Sequence, residues 1–193
     1  MNTQQVVAEI IRRSLAFNVT VTLSPALSVA GNDGNACGGY FCGETRVLAV
    51  AAGRERQAWL GVLLHEYSHL TQWVENAACW RAYRDDMWDW LAGKRVKDYK
   101  AAIRAVQACE EDCERRTIRL AGELEAPLDF DTYARAANAY IHFHNTIAET
   151  RKWYRPGTVM QAIPSLMAAC NPTLDTDFTK TPKALRDELL RLV

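Results

Sequence analysis

Hydrophobic periodicity changes at about residue 52, and this change constrains the fold more than any other feature of the chain. Alternating or short apolar runs typical of strands occur before it, at residues 18–23, 40–42 and 46–51. Helical spacing follows in four long segments, at residues 55–77, 80–92, 96–125 and 131–154. Further helices are predicted over residues 3–16 and after Thr181. The order predicts an α+β fold with a small N-terminal β-sheet and a predominantly helical remainder.

Length and composition are those of one globular domain. The chain has 193 residues, of which 49% are hydrophobic and 24% charged. A chain of this length buries enough surface for a substantial core. We therefore predict a single domain over residues 1–193, with residues 158–193 either integral to it or forming a C-terminal appendage.

The charge balance bears on the partners. Lys plus Arg and Asp plus Glu each number 23, so the formal net charge is zero and gives no preference for nucleic acid or an anionic membrane. No apolar run approaches the roughly 18–20 residues of a membrane helix, and no signal peptide is recognisable. We expect a cytoplasmic protein with reduced cysteines that binds neither membranes nor nucleic acid. The oligomeric state stays open.

A histidine pair within one predicted helix carries the clearest chemical signal. His65 and His69 are four residues apart, so both imidazoles project from one helix face. Such a pair binds one metal ion, and Glu66 lies beside it, within reach of a metal-bound water. Zinc with three protein ligands lowers the pKa of that water to about 7, and a neighbouring carboxylate then takes its proton as the water attacks a carbonyl.

A third ligand just downstream of the histidines is disfavoured by the sequence. That arrangement needs a glycine at position 72, where the helix breaks, and a ligand at position 75. The chain has Gln72 and Glu75 instead. Without the glycine, the helix continues and carries Glu75 away from the metal.

The predicted helix over residues 96–125 offers the alternative. Glu110 falls between Val106 and Cys113 on its apolar face, so we expect this carboxylate to point inward, where a metal is a suitable partner. Glu110 is therefore the predicted third ligand. Glu114, one turn further, either orients one histidine or is itself the ligand. In the competing interpretation, these acids pair at helical spacing with nearby arginines: Arg115, Arg116 and Arg119.

The chain resembles the gluzincins, the glutamate-ligand branch of the zincin metallopeptidases. The resemblance rests on His65, Glu66 and His69 and on Glu110 of a later predicted helix. Compact HExxH proteins of bacteria and bacteriophages, including the ImmA/IrrE type, are nearest in size. The resemblance covers residues 38–118. It implies a zincin-like fold in which His65, His69 and Glu110 bind zinc and Glu66 is the general base. The 40 residues between His69 and Glu110 exceed the spacing usual in several of these families, and the tryptophan-rich segment 80–92 fills the excess.

This resemblance implies a zinc-dependent metallopeptidase acting on a peptide or protein. The alternative is a catalytically weak or inactive zincin-fold module that regulates one protein partner. Zincins of this kind bind substrate along an edge strand before the metal helix, so residues 46–51 are either that edge strand or an interior strand. His144, His142 or Tyr154 is a candidate to polarise a substrate carbonyl, and we assign His144.

Overall fold

The computed structural model describes residues 1–31, 34–155 and 157–193, and it has the predicted α+β class, with 55% helix and a small N-terminal mixed sheet. The helices are α1 (Thr3–Leu15), α2 (Arg56–Val74), α3 (Ala78–Ala82), α4 (Asp86–Leu91), α5 (Tyr99–Glu123), α6 (Phe130–Thr150), α7 (Pro164–Ala168) and α8 (Lys183–Leu190). The strands are β1 (Thr20–Ser24), β2 (Val29–Ala30), β3 (Ala36–Cys37), β4 (Gly39–Cys42) and β5 (Val47–Ala51). Within the described ranges, no helix combines the length and the apolar character needed to cross a bilayer.

Residue contacts divide the chain into two units, each made of two separate stretches of sequence. The first unit comprises residues 1–80 and 113–129. The second comprises residues 81–112 and 130–193. Helix α5 therefore contributes its C-terminal half to the first unit and its N-terminal half to the second.

The main sheet of the first unit has the strand order β1-β5-β4 among the described residues. β5 pairs in parallel with β1 and in antiparallel fashion with β4. Its residues Leu48 to Ala51 are buried, as expected for a central strand covered on both faces. Of the two interpretations of residues 46–51, the edge strand is therefore wrong and the interior strand is correct. β2 and β3 form a separate antiparallel ribbon.

Helix α2 packs against β4 and β5, and α1 contacts both α2 and β1. The Glu55 side chain caps the start of α2 by accepting a hydrogen bond from the Ala58 backbone. The helix ends three residues before the predicted end at 77, with Asn76 in the left-handed region at φ 49°. These contacts place the helix that carries the histidine pair directly beneath the sheet.

The C-terminal half of α5 is held against α2 by polar contacts between side chains. The Thr117 hydroxyl donates a hydrogen bond to Ser68 Oγ over 2.9 Å in the buried interior. Further along, Arg116 forms an ion pair with Glu75 over 2.6 Å. These contacts set the rotation of α5 and hence which of its side chains face the histidines.

In the tryptophan-rich segment, the prediction of one helix over residues 80–92 is wrong, because two short helices, α3 and α4, replace it. A new helix begins at Asp86, where acidic Asp86 and Asp89 interact favourably with the positive end of the helix dipole. Arg84 pairs with Asp86 across the break. Gly93 follows α4 with φ 92°, a left-handed conformation that glycine adopts without strain.

The core of the second unit is apolar and includes residues from the C-terminal part of the chain. Phe143 and Ile147 of α6 pack there with residues of the segment after 158, namely Met160, Leu166, Cys170, Leu185, Leu189 and Leu192. Helix α7 lies in this segment and was not predicted from the sequence, because five residues are too few to show helical periodicity.

Candidate metal centre

His65 and His69 lie one turn apart on α2. Their ring centroids are 4.7 Å apart, and the ring planes are nearly perpendicular, at 88°. Both residues keep some solvent exposure, whereas their neighbours Leu64, Ser68 and Leu70 are buried. The helix therefore presents the two imidazoles together at the margin of the core, as the sequence predicted.

A side-chain oxygen holds the Nδ1 atom of each histidine. Glu114 Oε1 lies 3.0 Å from His65 Nδ1, and Gln72 Oε1 lies 2.8 Å from His69 Nδ1. A carboxylate only accepts hydrogen bonds, so His65 carries its proton on Nδ1. The Gln72 amide group donates to Cys79 Sγ over 3.5 Å, and its carbonyl therefore accepts from His69. In the neutral form of each imidazole, the lone pair is therefore on Nε2, which is the tautomer that a metal-binding histidine needs.

The charges around His65 favour its protonated form. Burial by itself lowers the pKa of His65, but the electrostatic interactions and hydrogen bonds of Cys113 and Glu114 outweigh it. The net pKa lies well above its usual value. His65 thus sits where the protein stabilises positive charge, which is the electrostatic setting that a bound cation also requires.

A third potential ligand atom near the histidines belongs to Cys113 of α5. Ligand atoms of His65, His69 and Cys113 all lie within 4.8 Å of one another in the described part of the chain. The Cys113 thiol donates to the His65 carbonyl oxygen over 3.3 Å, and its sulfur lies 3.6 Å from His65 Nδ1. Its contacts are therefore on the Nδ1 side of the ring, away from the nitrogen that is available to a metal.

Glu66 is buried on α2 beside strand β4, with 8% of its surface exposed. The strand approaches so closely that a Cβ atom on Gly39 would lie 3.3 Å from Glu66 Cγ and 2.6 Å from Val62 Cγ1. Gly39 is therefore the residue that lets β4 pass directly over the carboxylate.

The structure brings together His65, Glu66, His69 and Glu114, and the predicted contact of Glu114 with a histidine is present. Glu110, the predicted third ligand, is a buried residue of α5 in the second unit, with 8% of its surface exposed. Its assignment as a zinc ligand stays a prediction.

His144 is fully buried on α6 in the second unit. Its Nδ1 lies 3.2 Å and 3.3 Å from the carbonyl oxygens of Tyr140 and Ile141, so the proton resides on Nδ1. Among the residues the structure describes, Nε2 has no hydrogen-bond partner. Burial lowers the pKa of His144, against a smaller opposing effect of Glu110. In this neutral tautomer, Nε2 can accept a proton or bind a cation. Polarising a substrate carbonyl would require a proton on Nε2, so the predicted role of His144 stays a prediction.

His142, the other candidate on α6, is engaged in the second unit. Its Nε2 lies 2.9 Å from Asp175 Oδ2, and its ring packs against Phe178 at a centroid distance of 4.8 Å. The contact ties α6 to the segment that precedes α8.

Sequence reasoning missed Gln72 as a functional residue. It considered position 72 only as the place for a helix-breaking glycine, yet a residue three positions after His69 lies on the same helix face. The available signal was this spacing, because a glutamine on the same face as His69 offers a side-chain oxygen that can accept a hydrogen bond from the ring.

Comparison of the chain with models of known families, with curated proteins and with solved structures finds no match. The residues of the metal centre are therefore the basis for its functional assignment.

Proposed function

We propose that this protein is a zinc-dependent peptidase with a zincin-like fold, in which His65 and His69 bind zinc. The observation that carries the proposal is the state of the two imidazoles. They lie one turn apart, and side-chain oxygens hold both Nδ1 atoms. The Nε2 lone pairs then serve as ligands, and neutral imidazole held in this way is a preferred donor for zinc. The three-stranded sheet packed on the helix that bears the motif supports the zincin-like assignment.

Glu66 is the proposed general base. Zinc held by His65 and His69 would act as a Lewis acid and would lower the pKa of water to about 7. Glu66 accepts the proton of the attacking water and delivers it to the leaving amine. Its placement on the same helix as both histidines, with most of its side chain shielded from solvent, suits this role.

Helix α5 supplies the proposed third ligand. Glu110 is the ligand that the resemblance predicts, and Cys113 is the α5 residue with an Sγ atom close to the histidines. We retain Glu110, because the thiol of Cys113 already bonds to the His65 backbone and lies beside the occupied Nδ1.

An extended peptide is the proposed substrate, and β4 is the strand along which it would bind. β4 ends the described strand order, and its Gly39 lies next to Glu66. A peptide that pairs with this strand through main-chain hydrogen bonds would pass the general base. The substrate-binding role that the resemblance implies for residues 46–51 is thus proposed here for the neighbouring strand β4.

Metal analysis tests the core of the proposal. Protein purified without chelators or metal-affinity resin should contain about one zinc per chain, as a three-ligand site requires. The zinc should be lost in His65→Ala and in His69→Ala. A wild-type content far below one, not restored by added zinc, would contradict the proposal.

The general base is tested separately. Glu66→Gln should keep the zinc and lose hydrolysis of any fluorogenic peptide that the wild type cleaves. Glu44→Gln, in an exposed turn of the first unit, is the matched control and should cleave normally. Normal turnover by Glu66→Gln would rule out the mechanism.

The third ligand is tested by three neighbouring variants of α5. Glu110→Gln should weaken zinc binding strongly, whereas Glu111→Gln and Cys113→Ser should change it little. A loss confined to Cys113→Ser would transfer the ligand role to the thiol, and equal losses in Glu110→Gln and Glu111→Gln would reject our choice.

A further inference from the structure

Three aromatic side chains border the His69 side of the metal centre. We call Phe41, Trp73 and Trp80 the aromatic wall. The ring centroid of Phe41 lies 5.7 Å from that of Trp73 and 6.1 Å from that of Trp80. Trp80 in turn lies 6.0 Å from the His69 ring. The wall is therefore continuous with a proposed zinc ligand.

The wall and the general base lie along the same face of β4. Residues two apart on a strand share a face, so Phe41 is on the face of Gly39, which lies over Glu66. The Arg46 guanidinium stacks over Trp73 at 5.9 Å from its centroid. A peptide that follows β4 past Glu66 would therefore meet the wall within two residues.

The exposure of these rings distinguishes them from ordinary core residues. All three are half-buried, whereas the apolar side chains of α2 that face the interior, such as Leu60, Leu63 and Leu64, are fully buried. Neighbouring aromatic rings that remain partly exposed can pack against another aromatic or apolar group at low entropic cost.

Trp80 comes from α3, the short helix that follows α2. The contact of its ring with His69 places this residue beside a proposed metal ligand.

We propose that the aromatic wall selects peptides with a large apolar side chain, an aromatic one above all, within two residues of the bond that is cleaved. This inference rests on the proposed function and adds the substrate class. The wall supplies stacking surface and excludes water around the bound side chain, while the main-chain pairing along β4 fixes which side chain reaches it.

Binding of peptide hydroxamates to the zinc-loaded protein tests the inference without relying on turnover. The probes share a hydroxamate group, which binds zinc, and differ in one side chain: phenylalanine, leucine or alanine. The wild type should bind the phenylalanine probe about tenfold more tightly than the alanine probe, as expected for one additional buried aromatic contact. Trp80→Ala should reduce this ratio to near one.

Two controls accompany the measurement. Trp88→Ala removes an exposed tryptophan of the second unit and should keep the tenfold ratio. Phe41→Leu is a milder change in the wall, and it should lower the ratio while keeping the zinc content if Trp80→Ala does not fold. Equal binding of all three probes to the wild type would overturn the inference and leave the proposed function standing. No binding of any probe to zinc-loaded protein would overturn both.

Discussion

The close approach of β4 to α2 makes Gly39→Ala a sensitive test of the fold around the metal centre. The added Cβ would lie 2.6 Å from Val62 Cγ1 and 2.8 Å from the Ala49 carbonyl oxygen. Real Cβ atoms essentially never lie this close to other heavy atoms. The Ala49 oxygen belongs to the central strand β5, so the strand cannot yield there without losing part of its pairing. β4 should therefore move away from α2.

The expected cost follows from over-packing. Inserting one methyl group into a packed site costs about 1–3 kcal/mol when side chains or backbone must shift. For a chain of this length, each kcal/mol lowers the melting temperature by roughly 2–4 °C. Gly39→Ala should therefore melt roughly 2–12 °C below the wild type.

Thermal unfolding followed by circular dichroism measures the shift, and Gly122→Ala is the matched control. No heavy atom lies within 4 Å of the Cβ that this second substitution adds, and the site is helical. Alanine exceeds glycine in helix propensity by up to about 1 kcal/mol, so the control should be unchanged or more stable. If Gly39→Ala melts with the wild type, the packing of β4 over Glu66 is not as described.

Two further predictions concern single residues. Gln72→Leu removes the acceptor that holds His69 and should weaken zinc binding about 10–100-fold, whereas Gln72→Glu should preserve it. Competition with a chromophoric chelator measures the zinc affinity of both variants. Equal affinity of Gln72→Leu and wild type would contradict the role of the amide. Hydrogen bonds from Arg12 and then Arg13 lower the pKa of Glu9 from 4.5 to about 2. Its contribution to stability is therefore complete above pH 4.5 and is lost as the pH falls towards 2. A carboxyl NMR titration should show this pKa, and Arg12→Gln should raise it; a wild-type midpoint near 4.5 would refute the pairing.

The sequence predicted the elements whose pattern is local. α2 and β5 begin and end within a few residues of their predicted bounds, because helical spacing and short apolar runs can be recognised within one segment. The position of β5 in the sheet was left open, since it depends on pairing with β1 about 25 residues earlier. The break between α3 and α4 was missed, because aromatic residues continue the helical spacing across it.

The residues of the candidate site likewise include some that local spacing predicted and one, Gln72, that it did not. His65, Glu66 and His69 follow from spacing within one helix, and Glu114 follows from its place on the face of α5. Gln72 was missed because its role depends on a rotamer and on a hydrogen bond to Cys79, neither of which leaves a periodic signal.

The distribution of buried polar groups gives an argument for function that does not depend on the motif. In the described part of the first unit, such side chains concentrate on α2 and on the part of α5 that packs against it: Glu66, Ser68, Gln72, Glu114 and Thr117. Burying polar groups costs stability unless each finds a partner, and apolar side chains would pack these two helices more simply. Glu114 and Gln72 both end on a histidine ring nitrogen, and Thr117 fixes the helix that carries Glu114. Buried polar side chains are thus found beside the two imidazoles, where apolar packing would be simpler. Such a departure from simple packing is expected at a functional site.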